Sequence, residues 1–277
     1  MIISASRRTD IPAFYGDWFM ERIAEGHVMV RNPMNSHQVS RVSLDPEDVT
    51  CIVFWTKNPA NIIDKLQILD DMNYHYYFQF TLTPYGKVVE TNVRDKNDIL
   101  STFIRLSERI GKERVVWRYD PILVTDTLTE DYHVRSFERL AEALAGHTER
   151  CIISFVDFYA KCRKRLSGLR AQALGYQDMR AIAESFAAIG KARNLKLETC
   201  AEEIDLSDLA IDHAHCIDDK LVSRIVGRHL TLKKDKRQRE RCRCVASVDI
   251  GAYNTCSHGC LYCYANSGNR TGAANLS

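Results

Sequence analysis

The sequence predicts an α/β protein built as a (β/α) barrel, complete or partial, and three observations carry that prediction. Short β-branched or aromatic runs alternate along the chain with segments of helical spacing. Links from helix to strand are short, whereas several links from strand to helix are long. That asymmetry belongs to barrels, whose functional loops follow the C-terminal ends of the strands. Polar residues also gather just past nearly every predicted strand.

The predicted strands are IISAS from Ile2, CIVFW from Cys51, HYYFQFTL from His75, VVWRY from Val115, CIISFV from Cys151 and LKLET from Leu195. Helical spacing joins Ile62, Leu66 and Leu69; Phe103, Leu106 and Ile110; Val134, Phe137, Leu140 and Leu144; and Met179, Ile182, Phe186 and Ile189. Asn58 and Pro59 stand where an N-cap and a first-turn proline belong, Thr127 with Glu130 fits a capping box, and Gly26, Gly111 and Gly146 fit left-handed C-caps. Repeated βα units imply a parallel sheet. The long strand-to-helix loops are 83–96 and 158–175; the short helix-to-strand links are 112–114 and 193–194. Residues 27–44 hold two alternating runs around a polar turn, as in an inserted hairpin. A last strand-like run, 245–250, leads into the C-terminal cysteines.

With 277 residues and 45% apolar content the chain supplies one large domain with a full core, spanning 1–277, in which 242–277 forms a C-terminal cysteine segment. Charge is nearly balanced, 38 Lys and Arg against 36 Asp and Glu, so polyanion binding by overall composition is excluded. Basic charge is local. Residues 220–243 contain ten Lys or Arg, including KKDKRQRERCRC from Lys233, against Asp235 and Glu240. The start, MIISASRRTDIP, has no apolar core of a signal peptide, and no apolar run approaches the roughly 18 residues of a membrane span. The chain therefore reads as cytoplasmic. In a reducing compartment ten cysteines are thiols, available as ligands or buried as small hydrophobes.

Past the strands stand Arg7, Arg8, Thr9 and Asp10; Thr56, Lys57 and Asn58; Thr81 and Thr83; Arg118 and Asp120; Asp157; and Glu198, Thr199, Cys200 and Glu202. Caps and turns recruit the same residue types, so the set weighs more than its members. Asp157, Glu198, Glu202, Arg118 and Arg7 are the candidates for contacts to a cofactor or substrate. Cys256, Cys260 and Cys263 form a C-x3-C-x2-C loop. A structural zinc site takes four ligands, commonly from two C-x2-C knuckles, and this chain has one. Three thiolates on a four-iron cluster leave one iron open for a substrate or cofactor.

In this loop the sequence resembles the radical SAM superfamily, whose cluster loop reads C-x3-C-x-aromatic-C. Tyr262 holds the aromatic position and would contact the cofactor. The resemblance implies a 4Fe–4S cluster on Cys256, Cys260 and Cys263, S-adenosylmethionine cleaved to a 5′-deoxyadenosyl radical, and an electron donor such as flavodoxin or ferredoxin. The superfamily loop follows the first barrel strand, whereas here it lies in the last 22 residues. A circular permutation accounts for this and places 245–250 beside the N-terminal strand. No Gly-Gly-Glu motif follows any strand, so contacts to the amino-acid end of the cofactor are unassigned. More widely, SASRRTDIP, FWTKNP and DIGAYNTCSHGCLYCYA resemble an uncharacterised bacterial family called domain of unknown function 1848, over nearly the whole chain.

Cys200, Cys216, Cys242 and Cys244 form a second candidate site, for an auxiliary iron–sulfur cluster or zinc. His213 and His215 beside Cys216 offer a rival His/Cys set, and His258 reads as a local hydrogen-bonding residue. Cys51 and Cys151 open apolar strands and belong to the core; Cys162, in KCRKR, reads as exposed. Two function classes follow. One is a radical SAM enzyme of unspecified substrate. The other is a non-catalytic zinc or iron–sulfur module whose basic stretch binds an anionic partner such as nucleic acid.

Overall fold

The computed structural model describes residues 1–266. Its strands are β1 (Ile2–Ala5), β2 (His27–Asn32), β3 (Asn35–Ser43), β4 (Cys51–Thr56), β5 (Tyr76–Thr81), β6 (Val115–Ile122), β7 (Arg150–Phe155), β8 (Lys196–Thr199), β9 (Asp212–His213) and β10 (Val248–Asp249). The helices are α1 (Ile11–Phe14), α2 (Gly16–Glu25), α3 (Ala60–Ile63), α4 (Leu66–Asp71), α5 (Lys96–Ile110), α6 (Glu130–Ala143), α7 (Ala160–Gly168), α8 (Tyr176–Ala192) and α9 (Asp219–Val226). All six strands predicted from the apolar runs are present. The predicted C-terminal segment extends past the described residues, and 267–277 lie outside them.

Eight strands form one sheet in the order β10-β1-β4-β5-β6-β7-β8-β9, every neighbouring pair parallel. The C-terminal strand lies beside the N-terminal one, with Ile3 opposite Val248 and Ser4 opposite Asp249. The two ends of the sheet, β9 and β10, are not hydrogen-bonded to each other, so the described residues form an α/β fold with an open sheet. The predicted hairpin forms a separate antiparallel pair, β2 with β3.

Alternation along each strand sorts the apolar residues into two cores. Ile3, Ile52, Phe54, Phe78, Trp117 and Ile153 face the larger core, where Phe19, Phe103, Phe137 and Phe186 of the helices pack. Trp117, Phe137 and Phe186 stack there, with centroid separations of 5.0 and 3.9 Å. The intervening residues, Ile2, Cys51, Val53, Tyr77, Val116 and Ile152, face a smaller core closed by Ile217, Leu221, Val222 and Val245. The second core is why the strands read as unbroken apolar runs rather than alternating ones.

Several local expectations are corrected. The segment through Ile62 and Leu69 is two short helices, α3 and α4. Thr129, not Thr127, caps α6 by accepting from Tyr132 N, because Thr127 N is itself bonded to Thr125 Oγ1 in the preceding turn. Gly26 is left-handed as expected, whereas Gly111, at φ 92° and ψ 140°, leaves α5 in an extended turn. The loop 158–175 contains α7, which buries Cys162 and Leu166 one turn apart against Tyr85, Val89 and Leu123. Cys162 is thus a core thiol, not an exposed one. No helix among the described residues is long and apolar enough to cross a membrane.

Candidate functional site

The C-terminal ends of the sheet strands open on a cleft of ≈ 470 Å³. Arg7, Trp55, Lys57, Arg118, Asp120 and Ser154 line it from β1, β4, β6 and β7 or the turns after them. Cys256, Cys260 and Cys263 line it from one side, and Cys200, Cys216, Cys242 and Cys244 line it as well. Both predicted cysteine sets therefore face one space. Among the described residues no group of three or more His, Cys, Asp or Glu side chains already surrounds a common metal position.

Position of the C-x3-C-x2-C loop begins at β10. Asp249 accepts hydrogen bonds from Ser4 Oγ at 2.9 Å, Ser6 Oγ at 2.7 Å and Arg7 N at 2.8 Å, which ties β10 to the end of β1. Gly251 follows because a Cβ there would stand 2.1 Å from Ser6 Oγ. The cysteine loop is then gripped from three directions.

The first grip is Asp10. Its carboxylate accepts from Ala13 N at 3.0 Å and Lys57 N at 2.7 Å, and it pairs at 2.7 Å with Nε2 of His258, between Cys256 and Cys260. The second is the long loop after β5. Asn92 N donates to His258 O at 2.9 Å, Leu261 N donates to Val89 O at 2.9 Å, and Glu90 bridges Cys260 as an antiparallel pair. Third is Arg165 of α7, whose guanidinium donates to Leu261 O at 2.9 Å and to Cys263 O at 2.6 Å.

Glu90 is the electrostatic centre of this arrangement. Its fully buried carboxylate accepts from Lys57 Nζ at 2.8 Å and Thr83 Oγ1 at 2.7 Å, and also from Lys96 Nζ and the Tyr262 hydroxyl. Burial alone would push Glu90 up, but the ammonium groups of Lys57 and Lys96 outweigh it and hold the carboxyl down at about 2. Tyr262, the aromatic of the cysteine loop, is thereby fixed through its hydroxyl, with Lys57 Nζ 5.6 Å from its ring. Burial raises the Cys256 thiol to about 12 and the Cys260 thiol well above its ordinary value.

The lining of the cleft is also cationic and aromatic. Two guanidiniums lie over the Trp55 ring, Arg7 at 5.0 Å and Arg118 at 5.2 Å from its centroid. Arg118 pairs with Asp120, which lies below its ordinary range because the guanidinium outweighs the effect of burial. Arg7 Nη2 and Trp55 Nε1 are buried without a hydrogen-bond partner. Both are donors beside the cleft.

Of the five polar candidates, Arg7, Arg118 and Asp157 line the cleft. Asp157 is exposed at its rim, paired with Arg239 at 2.7 Å. Glu202 accepts from Phe155 N at 2.9 Å, and burial raises it to about 7. Glu198 is engaged elsewhere, by Arg150 at 3.4 Å and Lys196 at 3.0 Å. His213 bonds to Thr199 at 3.1 Å and His215 lies 3.8 Å from Asp219, so their partners are not the cysteines. The basic stretch folds back on itself, Asp235 N donating to Cys244 O and Ala246 N to Lys233 O. Arg239 turns to the cleft while Lys233, Lys236, Arg241 and Arg243 stand exposed. Sequence reasoning missed Glu90 and Arg165, which act on the cysteine loop from remote positions and carry no motif.

No curated protein matches the chain. Among solved structures, one described as a "putative alpha-L-fucosidase" from Bacteroides thetaiotaomicron VPI-5482 is 8% identical, covers 85% of this chain and 90% of its own, and has a TM-score of 0.29, too slight a likeness to inform fold or chemistry. The family model described as domain of unknown function (DUF1848) matches residues 2–265, and the chain belongs to that family.

Proposed function

We propose that the cleft is the active site of a radical SAM enzyme on an incomplete, circularly permuted (β/α) barrel. The observation that carries this reading is the placing of Cys256, Cys260 and Cys263 in one cleft at the C-terminal strand ends, on the loop after a strand paired with β1. The donor set fits a 4Fe–4S cluster, because three cysteine thiolates satisfy three irons and leave the fourth open. When bound, the cluster and S-adenosylmethionine would supply one-electron cleavage of the cofactor to methionine and a 5′-deoxyadenosyl radical, the electron coming from a flavodoxin or ferredoxin.

This chain's own residues do the rest. Asp10, Glu90 and Arg165 hold the loop in position through His258, Tyr262 and the carbonyls of Leu261 and Cys263. The unpartnered donors of Arg7 and Trp55 are suited to an anionic or carbonyl group entering the cleft. Trp55, with the Arg7 and Arg118 guanidiniums over its ring, offers an aromatic wall.

The test is anaerobic reconstitution with iron and sulfide, then addition of S-adenosylmethionine and a low-potential reductant. Expected are a brown protein and release of 5′-deoxyadenosine and methionine, both lost in Cys256→Ser, Cys260→Ser and Cys263→Ser. A protein that takes up no iron, or binds zinc on these three thiols and releases no 5′-deoxyadenosine, would overturn the assignment.

A further inference from the structure

The second cysteine set carries an inference of its own. Cys200 follows β8, Cys216 follows β9, and Cys242 and Cys244 lie in the segment that leads to β10. The four thiols therefore come from segments that follow β8 and β9 and that precede β10, and they line one cleft. Two of them are in direct contact, Cys216 Sγ lying 3.4 Å from Cys200 Sγ. Cys216, Cys242 and Cys244 are buried, and Cys200 is partly so.

We propose that Cys200, Cys216, Cys242 and Cys244 bind one tetrahedral divalent metal ion, zinc, which staples β8 and β9 to the segment entering β10. The spacing favours a single ion over a cluster. Zinc–sulfur bonds of about 2.3 Å in a tetrahedron put the sulfurs about 3.8 Å apart. The 3.4 Å contact lies near that value. In a four-iron cubane each thiolate sits on its own iron, which drives the sulfurs much farther apart.

The surroundings suit a tetrathiolate centre, whose net charge is −2 with zinc bound. Arg118 Nη1 donates to Cys216 Sγ at 3.1 Å, and Ile217 N donates to Cys244 Sγ at 3.3 Å. Such donors to sulfur are what an outer shell supplies to a thiolate-rich metal. Arg7 lines the same cleft as Cys216, Cys242 and Cys244. The Cys216 carbonyl is anchored as well, accepting from the Tyr77 hydroxyl at 2.8 Å and Gln79 Nε2 at 2.7 Å. Binding would release the thiol protons and form four metal–sulfur bonds, with no change in redox state.

The site is independent of the iron chemistry proposed above, and the test keeps them apart. The full chain is purified anaerobically and its zinc, iron and sulfide are measured, for the wild type and for the Cys256→Ser/Cys260→Ser/Cys263→Ser variant. One zinc per chain is expected in both. Cys216→Ser/Cys244→Ser should lose it. Should that variant fail to fold, zinc-edge X-ray absorption of the wild type decides instead, four sulfurs at about 2.3 Å being expected. Absence of zinc, fewer than four sulfur ligands, or iron and sulfide retained in the triple variant would each overturn the proposal. Loss of iron from the triple variant bears only on the other site.

Discussion

Replacing Glu90 by Gln tests whether one buried carboxylate organises the cysteine loop. The side chain of Glu90 is 0% exposed, and those of its partners Lys57 and Lys96 are 13% and 21% exposed. Folding lowers its carboxyl from 4.5 to about 2. At 1.36 kcal/mol per unit, that difference contributes about 3 kcal/mol of stability. Because the folded value is the depressed one, this contribution is fully present above pH 4.5 and is lost as pH falls from there through about 2. Glutamine preserves the shape and an acceptor for Thr83, but it leaves two ammonium groups facing each other without a counter-charge. Breaking a buried pair in this way costs about 3 to 5 kcal/mol. Urea unfolding of the metal-free protein at pH 7 should therefore show a fall of about 3 kcal/mol at unchanged slope, narrowing as pH is lowered below 4.5. Iron retention after reconstitution should drop in parallel, since Tyr262 loses its charged acceptor. A change below about 1 kcal/mol, with iron retention intact, would show that the lysines are solvated and that Glu90 does not hold the loop.

Two further predictions concern the loop and the core. Gly259 has φ +68°, and a Cβ there would lie 3.2 Å from Asn92 Nδ2 and 3.3 Å from Thr91 Cβ. Gly259→Ala should lose about 1 to 2 kcal/mol in thermal unfolding and weaken iron uptake, and an unchanged melting profile would refute the packing of loop 83–96 on the cysteines. His133 is fully buried between the Tyr119 hydroxyl at 2.8 Å and Leu123 O at 3.0 Å, and burial lowers it from 6.5 to about 4. The neutral ring then contributes about 3 kcal/mol that is present above pH 6.5 and lost as pH falls towards 4. His133→Gln should flatten stability over that window, and an identical pH profile in the variant would sink the assignment.

What was legible in the sequence was whatever local pattern determines. Phe54, Phe78, Trp117 and Ile153 stand in apolar runs because both faces of their strands are covered, and such runs announce themselves without knowledge of the partners. The hairpin was anticipated from two short alternating runs and the turn between them, whereas the pairing of 245–250 with β1 was expected from the permutation that the resemblance of the cysteine loop implies. The cysteine loop was legible from spacing. What was not legible depends on contacts made across the chain. Glu90 sits in a loop whose residues suggest a turn, and it becomes a buried ion only when Lys57, Lys96 and Tyr262 arrive around it. Arg165 lies in a helix that KCRKR disguises as a solvated charge run, because just Cys162 and Leu166 mark its apolar face. Glu198 shows the converse. Its sequence position groups it with the polar residues at the strand ends, yet it lies within β8, where Arg150 and Lys196 claim its carboxylate.

The placement of the cysteine loop at the C-terminus raises the question of how a two-residue strand can position it. Ladder bonds alone are too few, since β10 pairs with β1 at two registered positions. The position is set instead by side-chain chemistry at the seam. Four donors, from Ser4, Ser6, Arg7 N and Gly251 N, converge on Asp249, and Gly251 admits Ser6 where any Cβ would collide. Such a seam is indifferent to chain order, because closing a loop of over 240 residues costs little more than closing one half as long, about 0.6 kcal/mol per doubling. Order matters for timing. Glu90, Asp10 and Arg165 must already be in place on the folded sheet before the loop that they grip has anything to dock against. Thiols presented on such a loop converge last, so metal uptake at Cys256, Cys260 and Cys263 is expected to follow folding of the sheet rather than to nucleate it, and the fold must be stable without it.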